Sequence, residues 1–416
     1  MKNIYAELIS IGDEILYGQT LDTNSHWISN ELDQLGIRVK RKVTVADTEE
    51  AILNAVKEAE QNADIILMTG GLGPTKDDLT KPCLAKYFDS EMYVNQDVLA
   101  HLKERYAKRG RELNDLNRGQ AELPEKCEVV SNTYGTAPGM WFEKEGKVFV
   151  SMPGVPREMK YMMTDTIIPR LQKQFKTPII IHQMVKTSGI PESDLAQKLE
   201  DWEDNLPAAI KLAYLPGLKQ VKLRLTASGN DKKELENLIA KEVTKLERLA
   251  GKYIFAKEEI SLAEAVGRLL LAQSKTIACA ESCTGGYLSK LITENTGSSA
   301  YYQGSIIPYH NELKVQVLGV KSQTIAQFGA VSEETVIEMA ENVRKLLHAD
   351  IGVATSGIAG PGGGSEAKPV GTVWIALADG VKTQTKLFHF PFDREGNIDI
   401  TANSVLNLVR QTLTSK

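Results

Sequence analysis

A serine stands where a short apolar strand gives way to a helix in the last third of the chain. The run 276–280 has the composition of a buried strand, Ser282 follows it, and a helical pattern begins at Tyr287. At such a turn the hydroxyl is presented at a strand end, where it can act as a nucleophile. We expect the backbone N–H groups of residues 284–286 to point into the same space and to bind an oxyanion. The alternative is that Ser282 only caps the helix.

A nucleophilic serine needs a base, and the segment 304–314 supplies a candidate. It places Tyr309 just before a helix and Lys314 inside the first turn or so of that helix. A lysine is a base only as the neutral amine, which at an ordinary pKa of about 10.4 costs about 4.6 kcal/mol at pH 7. Desolvation in a closed pocket would remove most of this cost. Tyr309 would relay a proton or hold the lysine; alternatively, Lys314 is a solvated helix residue and Tyr309 a rim aromatic.

Two further segments of this region carry suitable chemistry. The strand 351–355 leads into a loop with five glycines within residues 357–364, and such a backbone can approach a phosphate closely. Arg394 offers a guanidinium at a strand end. The six histidines do not fall within a ligand's reach of each other in sequence. The route through a nucleophile is therefore better supported than a metal-bound water.

The first third of the chain has a second candidate site. The strand 64–69 ends in a glycine-rich turn with two aspartates where the next helix begins, and the strand 4–11 delivers Gly12-Asp13-Glu14. Residues 151–158 supply a third loop with a carboxylate at a helix start. These loops meet if the sheet is doubly wound, because ligands collect at the carboxyl ends of its strands. The glycines would cradle a phosphate and the carboxylates would hold a hard cation, or Asp78 only caps the helix.

Bulk properties restrict the class of protein. A length of 416 residues suggests about two or three domains, and 42% hydrophobic with 25% charged residues is typical of a soluble globular protein. The four cysteines include no Cys-x-x-Cys pair, and a net charge of −5 gives no broad footprint for nucleic acid. No run reaches the length of a membrane span and the first residues do not resemble a signal peptide. We therefore expect a cytoplasmic protein without a membrane partner.

The alternation of strand and helix signals predicts the fold class. We predict an α/β protein in which two three-layer α/β domains with mainly parallel sheets, 1–170 and 256–416, are joined by a small α+β module at 171–253. The signals within the module are a strand at 179–185, a helix at 192–199, an alternating strand at 221–225 and a charged helix at 231–249.

Six motifs of the last third occur in the order of a known family. They are Ala-Glu-Ser-Cys-Thr-Gly-Gly, Gly-Ser-Ser-Ala-Tyr-Tyr, Tyr-His-Asn-Glu-Leu-Lys, Gly-Ala-Val-Ser-Glu-Glu, Ser-Gly-Ile-Ala-Gly-Pro and Lys-Pro-Val-Gly-Thr-Val-Trp. Over nearly all of 256–392 they resemble the C-terminal domain of the CinA (competence/damage-inducible) family. The resemblance implies a nicotinamide-nucleotide amidohydrolase, which converts nicotinamide mononucleotide to nicotinate mononucleotide and ammonia without a cofactor.

The resemblance also implies roles for individual residues. Ser282 would be the nucleophile, Lys314 its base and Tyr309 the partner of that base, while Arg394 would reach the phosphate. Substrate binding falls to Cys283, Thr284, Gly285, Gly286, Ser356, Gly357, Gly360, Gly362, Gly363 and Arg394. Cys283 is also the rival nucleophile, which we expect to point the other way. Asp399 stands near a position where the family usually has a second basic residue, a departure that affects phosphate contacts more than the serine chemistry.

The first third resembles the molybdopterin-binding-like domain at the front of full-length CinA proteins. The resemblance covers about residues 4–165 and rests on Gly-Gly-Leu-Gly-Pro-Thr-x-Asp-Asp, Gly-Asp-Glu, Asn-Arg-Gly-Gln-Ala and Pro-Gly-Val-Pro-Arg-Glu-Met. In some relatives this domain is an ADP-ribose pyrophosphatase, and the wider superfamily handles molybdopterin and its adenylate. The implied ligand site is Gly12, Asp13, Gly70, Gly71, Gly73, Asp77, Pro153 and Gly154, with Glu14, Asp78 and Glu158 as ligands of Mg²⁺, Mn²⁺ or Co²⁺.

The middle module resembles the KH-like insert of the same family. A nucleic-acid-binding KH fold needs a Gly-x-x-Gly clamp, and residues 171–253 contain none. A spacer or dimerisation role is favoured, and the resemblance points to a homodimer without direct nucleic-acid contact.

Three functions are compatible with these observations. The first is a two-headed enzyme of pyridine-nucleotide salvage, with an amidohydrolase acting on nicotinamide mononucleotide and a metal-dependent pyrophosphatase acting on ADP-ribose. The second is a protein whose front domain binds a molybdopterin-like ligand without turnover. The third is a scaffold in competence or DNA repair.

Overall fold

A computed structural model of the chain describes residues 3–217 and 219–415. The chain forms two compact units. The first contains the residues up to Ile181 together with Ser228–Lys233, and the second contains His182–Ala227 and the residues from Glu234 onward. The segments of the predicted middle module therefore fall mainly in the second unit. No helix in the described ranges is both long and apolar enough to cross a membrane.

The first unit alternates strands and helices. Its strands are β1 (Tyr5–Ile11), β2 (Arg38–Val45), β3 (Ile65–Thr69), β4 (Met92–Val94), β5 (Glu122–Pro124), β6 (Glu128–Val130), β7 (Gly139–Lys144) and β8 (Lys147–Met152). Its helices are α1 (Asp13–Leu16), α2 (Thr23–Gln34), α3 (Glu49–Asn62), α4 (Thr80–Tyr87), α5 (Gln96–Ala107), α6 (Asp115–Arg118), α7 (Pro156–Met162) and α8 (Ile168–Gln174). A π-helical segment, Met163–Ile167, joins the last two helices.

The main sheet of this unit has the order β2-β1-β3-β8-β7-β6. The pairs β1/β2, β1/β3 and β3/β8 are parallel, whereas β7 pairs antiparallel with β8 and β6. Alternate residues of β1 enter two separate cores, with Leu8 packed beside α2 and α7 and Ile9 packed beside α3 and α4. A parallel strand that is buried on both faces requires helices on both sides, which gives three layers.

The second unit begins with a small sheet. Its strands and helices are β9 (Ile179–Thr187, which starts within the first unit), α9 (Glu192–Asp204), β10 (Ile210–Pro216), β11 (Val221–Gly229), α10 (Lys232–Ala250) and β12 (Ile254–Ala256). The sheet order is β10-β11-β9-β12, with β10 antiparallel to β11 and β12 antiparallel to β9. Alternate residues of β11 are buried from Val221 to Ala227, so one face of the sheet packs inward. This arrangement is the predicted α+β module.

The rest of the second unit is again an α/β layer structure. Its elements are α11 (Leu262–Ala272), β13 (Ile277–Glu281), α12 (Tyr287–Thr293), β14 (Tyr302–Ile306), α13 (Asn311–Gln316), α14 (Ser322–Phe328), α15 (Glu333–Leu346), β15 (Ile351–Gly357), β16 (Thr372–Ala378), β17 (Thr383–His389) and α16 (Arg394–Thr414). The sheet order is β14-β13-β15-β16-β17, with α11, α12 and α16 packed on one face and α15 on the other. The α/β fold class is confirmed.

The sheet of the first unit is mainly parallel, as predicted, whereas the sheet of the second unit is less parallel than predicted. In the second unit β13 pairs parallel with β14 and β15, but β15/β16 and β16/β17 are antiparallel. The reason is the connections, because a parallel return needs a crossover of a dozen or more residues, usually a helix. Only a short turn joins β16 to β17, and the glycine-rich loop before β16 contains no helix. β16 and β17 therefore each run antiparallel to the strand that precedes them.

The central strand β15 offers a test of this core. Val353 is fully buried, and replacing it by alanine removes methyl groups and leaves a cavity, so we expect Val353→Ala to lower the free energy of unfolding by about 2 kcal/mol. Val381, which is 94% exposed, provides the matched control, and Val381→Ala should change it by less than about 0.5 kcal/mol. Urea unfolding of the full chain measures both values. Equal values for the two variants would contradict the assignment of β15 to the core.

Candidate active site

Ser282 follows β13 directly, at the edge where the parallel strands β13, β14 and β15 all end. Its N–H donates to the carbonyl oxygen of Thr355 at 3.0 Å, which ties the turn to β15. The serine is buried, with 8% of its surface exposed. It is not the N-cap of α12, because that position is taken by Gly286. The capping alternative is therefore wrong.

Lys314 reaches this serine from helix α13. Its Nζ lies 3.1 Å from Ser282 Oγ and also donates to the carbonyl oxygens of Pro308 at 2.8 Å and Tyr309 at 3.3 Å. The side chain is 1% exposed, so it is not a solvated helix residue. The hydroxyl and the amine predicted to act together are thus in hydrogen-bonding contact.

The surroundings of Lys314 favour the neutral amine. Burial lowers its pKa below the ordinary value of 10.5, and the neighbouring Cys283 opposes this only weakly. The three oxygens around Nζ belong to a hydroxyl and two carbonyls, and none of them carries a charge that would hold the proton. Desolvation without a counter-ion is the condition under which a lysine becomes a base near neutral pH.

Cys283, the rival nucleophile, is buried in the apolar core beside Ile277 and Val373. Burial raises the pKa of its thiol to about 12, so the thiolate is scarce at neutral pH. This buried environment agrees with the expectation that the Cys283 side chain points away from the Ser282 hydroxyl.

Tyr309 contacts the lysine only through its backbone carbonyl. Its side chain is 58% exposed, and its hydroxyl accepts a hydrogen bond from Arg394 Nη2 at 3.0 Å. Arg394 Nη1 donates to the carbonyl oxygen of Gly360 at 2.7 Å. The phenol is therefore not the proton relay beside Lys314 that the sequence suggested. It forms a rim with a guanidinium and the glycine loop.

The oxyanion donors differ from those predicted. The Gly285 N–H donates to the carbonyl oxygen of Ser282 at 3.2 Å, and the Gly286 N–H donates to Glu281 Oε2 at 3.0 Å, so neither is directed at a ligand. The N–H groups of Cys283 and Thr284 donate to no other described residue. Both groups directly follow Ser282, so Thr284 agrees with the prediction, Cys283 is an additional candidate donor, and Gly285 and Gly286 are not available.

Ser356 is also placed differently from the prediction. It is 1% exposed and its hydroxyl donates to the carbonyl oxygen of Ala330 at 2.6 Å, so it braces β15 and does not face a ligand. A serine in a strand points to one face or the other by alternation, and this one points inward. Of the glycine loop, Gly362 and Gly363 are exposed and Gly357 is half-buried.

Asp399 lies on α16 in a network of its own. Its Oδ1 accepts a hydrogen bond from Tyr287 at 2.8 Å and pairs with Lys219 Nζ at 2.6 Å. Asp399 therefore neutralises Lys219, which lies between β10 and β11 of the small sheet. It supplies no positive charge to a phosphate.

The sequence analysis missed Glu281. Its carboxylate is fully buried at the end of β13 and accepts hydrogen bonds from residues that follow Ser282, among them the N–H groups of Gly286 and Ser289. An acidic residue at the end of an otherwise apolar strand was the available signal, because such a side chain is buried only when it is hydrogen-bonded.

The first unit contains a cavity of about 460 Å³ at the carboxyl ends of β1, β3 and β8. Ten of the predicted residues line it, namely Gly12, Glu14, Gly70, Gly71, Gly73, Asp77, Asp78, Pro153, Gly154 and Glu158. Asp13 does not, and its carboxylate instead accepts a hydrogen bond from the Tyr17 hydroxyl at 3.3 Å. Gly70 has a φ of 108°, and a Cβ there would lie 2.1 Å from the carbonyl oxygen of Ile11, so only glycine fits this loop.

The predicted metal ligands are not gathered into a metal site. Asp78 accepts from the N–H groups of Gly73 and Thr75, both at 2.8 Å, and from the Thr75 hydroxyl at 2.5 Å. It does not cap α4, whose N-cap is Leu79. Glu158 accepts from Asn132 Nδ2 at 2.7 Å. Among the residues with described positions, no three His, Cys, Asp or Glu side chains come together as metal ligands.

Two residues of this cavity were not predicted. Asn24 and Gln120 line it, and both are buried. Within the described ranges, Asn24 Oδ1 and Gln120 Oε1 accept no hydrogen bond. Buried acceptors without a partner are uncommon, so a ligand with N–H or O–H donors would satisfy them. Only the motif that contains Gln120 gave a hint in the sequence.

Two α/β layer structures, one with a buried Ser–Lys pair and one with a glycine-lined cavity, define the class of protein. Family models match three segments: "Probable molybdopterin binding domain" at 7–173, "Damage-inducible protein CinA KH domain" at 182–256 and "CinA C-terminal domain" at 259–413.

Full-length relatives agree with these matches. A CinA-like protein of Cytophaga hutchinsonii is 51% identical over 411 residues, which cover 99% of this chain and 98% of the relative. A CinA-like protein of Flavobacterium psychrophilum is 44% identical over 408 residues, covering 97% of both chains. The chain belongs to the CinA family.

Solved structures match part of the chain. The crystal structure of "the protein CinA with unknown function from Thermoplasma acidophilum" is 34% identical, with a TM-score of 0.38, and covers 40% of this chain and 98% of its own. A competence-damaged protein (CinA) superfamily protein from Klebsiella pneumoniae is 34% identical, with a TM-score of 0.36, and covers 36% of this chain and 95% of its own.

The loop around Asp78 can be tested directly. Asp78→Ala removes the acceptor of three hydrogen bonds, so we expect amide hydrogen exchange in residues 73–78 to accelerate by about tenfold or more, as for the loss of about 1–3 kcal/mol. Asp77→Ala is the control, because exposed Asp77 accepts none of these three bonds. Unchanged exchange in Asp78→Ala would contradict the bracing role. Mass spectrometry of peptic fragments makes the measurement.

Proposed function

We propose that the second unit is an amidohydrolase that releases ammonia from the carboxamide of nicotinamide mononucleotide and leaves nicotinate mononucleotide. The observation that carries the proposal is the 3.1 Å contact between Lys314 Nζ and Ser282 Oγ in a desolvated site where no described carboxylate pairs with the amine. A serine beside a neutral amine is an activated nucleophile, and its natural target is a carbonyl carbon with a leaving group.

The reaction proceeds through two acyl-transfer steps. Neutral Lys314 accepts the proton of Ser282 Oγ as this oxygen bonds to the carboxamide carbon, and the negative charge moves to the carboxamide oxygen. The N–H groups of Cys283 and Thr284 are the donors available to that oxyanion. The protonated lysine gives its proton to the leaving nitrogen, and ammonia departs. Water then adds to the acyl-serine with Lys314 again as the base, and the carboxylate product and the free serine result.

The rim of the site suits a phosphorylated substrate. Arg394 is exposed, and Tyr309 and the carbonyl oxygen of Gly360 hold its guanidinium in place. A guanidinium presents donors in a planar fork that matches phosphate. The exposed glycines of the adjoining loop leave room for the ribose phosphate. With Asp399 neutralising Lys219, we propose that Arg394 is the main phosphate contact from α16.

For the first unit we propose binding of a phosphorylated, adenylated ligand, with ADP-ribose hydrolysis as its activity. The cavity and its glycine loops support binding. The geometry does not support the proposed metal ligands, since Asp78 accepts hydrogen bonds from its own loop and Glu158, on α7, accepts one from Asn132. AMP formation from ADP-ribose, assayed with and without Mg²⁺, Mn²⁺ or Co²⁺, distinguishes an enzyme from a molybdopterin-like binder.

The homodimer, the cytoplasmic location and a role in competence stay predictions.

The nucleophile is tested by Ser282→Ala. We expect ammonia release from nicotinamide mononucleotide to fall by at least roughly a thousandfold, because the acyl intermediate cannot form. Exposed Ser322, on α14, provides the matched control, and Ser322→Ala should keep the full rate. Cys283→Ala should retain turnover within about tenfold, since its thiol is not the nucleophile. A near-normal rate in Ser282→Ala would reject the assignment.

The pH dependence tests the base. Because activity needs the neutral amine and burial lowers the pKa of Lys314, kcat/KM should rise with pH through that lowered pKa and level off above it. The rising limb should therefore lie below pH 10.5, the ordinary lysine value. Lys314→Met should lower kcat by at least roughly a thousandfold while Ser282 stays in place. A pH-independent kcat/KM between 5 and 10 would refute a lysine base.

A further inference from the structure

Glu281 is the last residue of β13, and its carboxylate is fully buried, with 0% of the residue exposed. Five hydrogen bonds end on its two oxygens. Oε2 accepts from Thr284 Oγ1 at 2.8 Å and from the N–H groups of Gly286 and Leu288, both at 3.0 Å. Oε1 accepts from the Ser289 N–H at 2.9 Å and from the Ser289 hydroxyl at 2.5 Å.

This carboxylate is buried without a counter-ion. In the described part of the chain, no lysine, arginine or histidine pairs with Glu281, so all of its partners are neutral donors. An ionised carboxylate is an acceptor only and has about four lone-pair sites. Five converging donors fill that capacity. An amide at this position would direct a hydrogen at a backbone N–H group, because each of the two carboxylate oxygens accepts from at least one backbone N–H.

The donors span the turn that carries the nucleophile. The acceptor lies at the end of the strand, and four of the five donors lie at Gly286 or beyond, at the start of α12. Gly286 has a φ of 98°, which lets its N–H turn back toward the strand. Thr284 Oγ1 also lies 2.9 Å from Thr355 Oγ1, which fastens the turn to β15. The segment between acceptor and donors contains Ser282 and the N–H groups of Cys283 and Thr284, which donate to no other residue in the described ranges.

We propose that Glu281 is the positioning residue of the active site, and this rests on the proposed amidohydrolase function. Its carboxylate holds the turn so that Ser282 Oγ faces Lys314 and the N–H groups of Cys283 and Thr284 face the developing oxyanion. Glu281 touches neither substrate nor base. Its effect belongs to the transition state, because donors that stabilise an oxyanion must already be in place when the charge develops.

The test is Glu281→Gln in the full chain, which keeps the shape of the side chain and removes the charge. We expect kcat for deamidation to fall about 100-fold to 1,000-fold, as for the loss of an oxyanion donor, with KM changed less than about threefold. Binding of nicotinamide mononucleotide, measured by calorimetry in a Ser282→Ala background, should keep its stoichiometry. General damage to the fold would lower that stoichiometry, so the two causes are separated.

A second readout does not depend on the natural substrate. A small fluorophosphonate transfers its phosphonyl group to Ser282 Oγ as fluoride leaves and Lys314 takes the hydroxyl proton, and intact-mass spectrometry follows the rate. We expect Glu281→Gln to slow this labelling by at least about tenfold. Glu242 supplies the matched control, since it is also a buried carboxylate of the second unit, where it accepts from Trp202 at 2.9 Å. Glu242→Gln should label and turn over at the wild-type rate.

Each outcome decides the matter. Wild-type labelling and kcat in folded Glu281→Gln would overturn the positioning role. If that variant does not fold, Thr284→Val removes one donor and the link to Thr355, and it should lower kcat and labelling by about tenfold; unchanged rates there would overturn the role equally. If the wild-type chain is labelled at Ser282 but releases no ammonia from nicotinamide mononucleotide, the substrate assignment fails and the labelling rates alone decide on Glu281. A Ser282 that neither reacts nor turns over rejects both.

Discussion

The contact between a buried lysine amine and a serine hydroxyl governs the arrangement of the second unit. Lys314 is desolvated and surrounded by uncharged oxygens, so its proton is held weakly. Removing a lysine from water is unfavourable, so the surrounding structure must hold Lys314 in its buried position. The carbonyl oxygens of Pro308 and Tyr309 do so by fixing Nζ from the segment that leads into α13. The same desolvation that would weaken the fold also lowers the pKa of the amine, which is the property that the proposed base requires.

The topology of the sheet explains how distant segments meet at this contact. β13 lies between β14 and β15 and runs parallel to both, so the serine turn, the lysine segment and the glycine-rich loop leave the sheet at one edge. The antiparallel strands β16 and β17 extend the sheet on the other side, and the chain then returns to this edge at Arg394, the first residue of α16. A hairpin is the shortest connection that makes this return, which accounts for the mixed sheet.

Much of the fold and part of the site can be predicted from sequence. Apolar runs such as β3 and β13 and the pairing of Ser282 with Lys314 follow from composition, spacing and family resemblance. The partners of individual polar groups do not. The Gly286 N–H and the Asp78 carboxylate are both groups suited to a ligand, yet each forms a hydrogen bond within its own turn. The Gly286 N–H donates to Glu281, and the Asp78 carboxylate accepts from the Thr75 N–H. Such choices depend on side-chain directions that spacing alone does not determine.

The two candidate sites share glycine loops at strand ends but differ in charge. In the second unit the rim carries Arg394, whose guanidinium donates to the uncharged oxygens of Gly360 and Tyr309, an arrangement that suits one phosphate and a neutral carboxamide. The cavity of the first unit is bordered by carboxylates, and burial together with its acidic neighbours raises the pKa of Asp47. An anionic ligand there must be compensated by backbone N–H groups or by cations it brings, while its hydroxyl or amino groups meet the buried oxygens of Asn24 and Gln120. Similar loops thus impose different demands on their ligands, so a function argued for one unit does not transfer to the other.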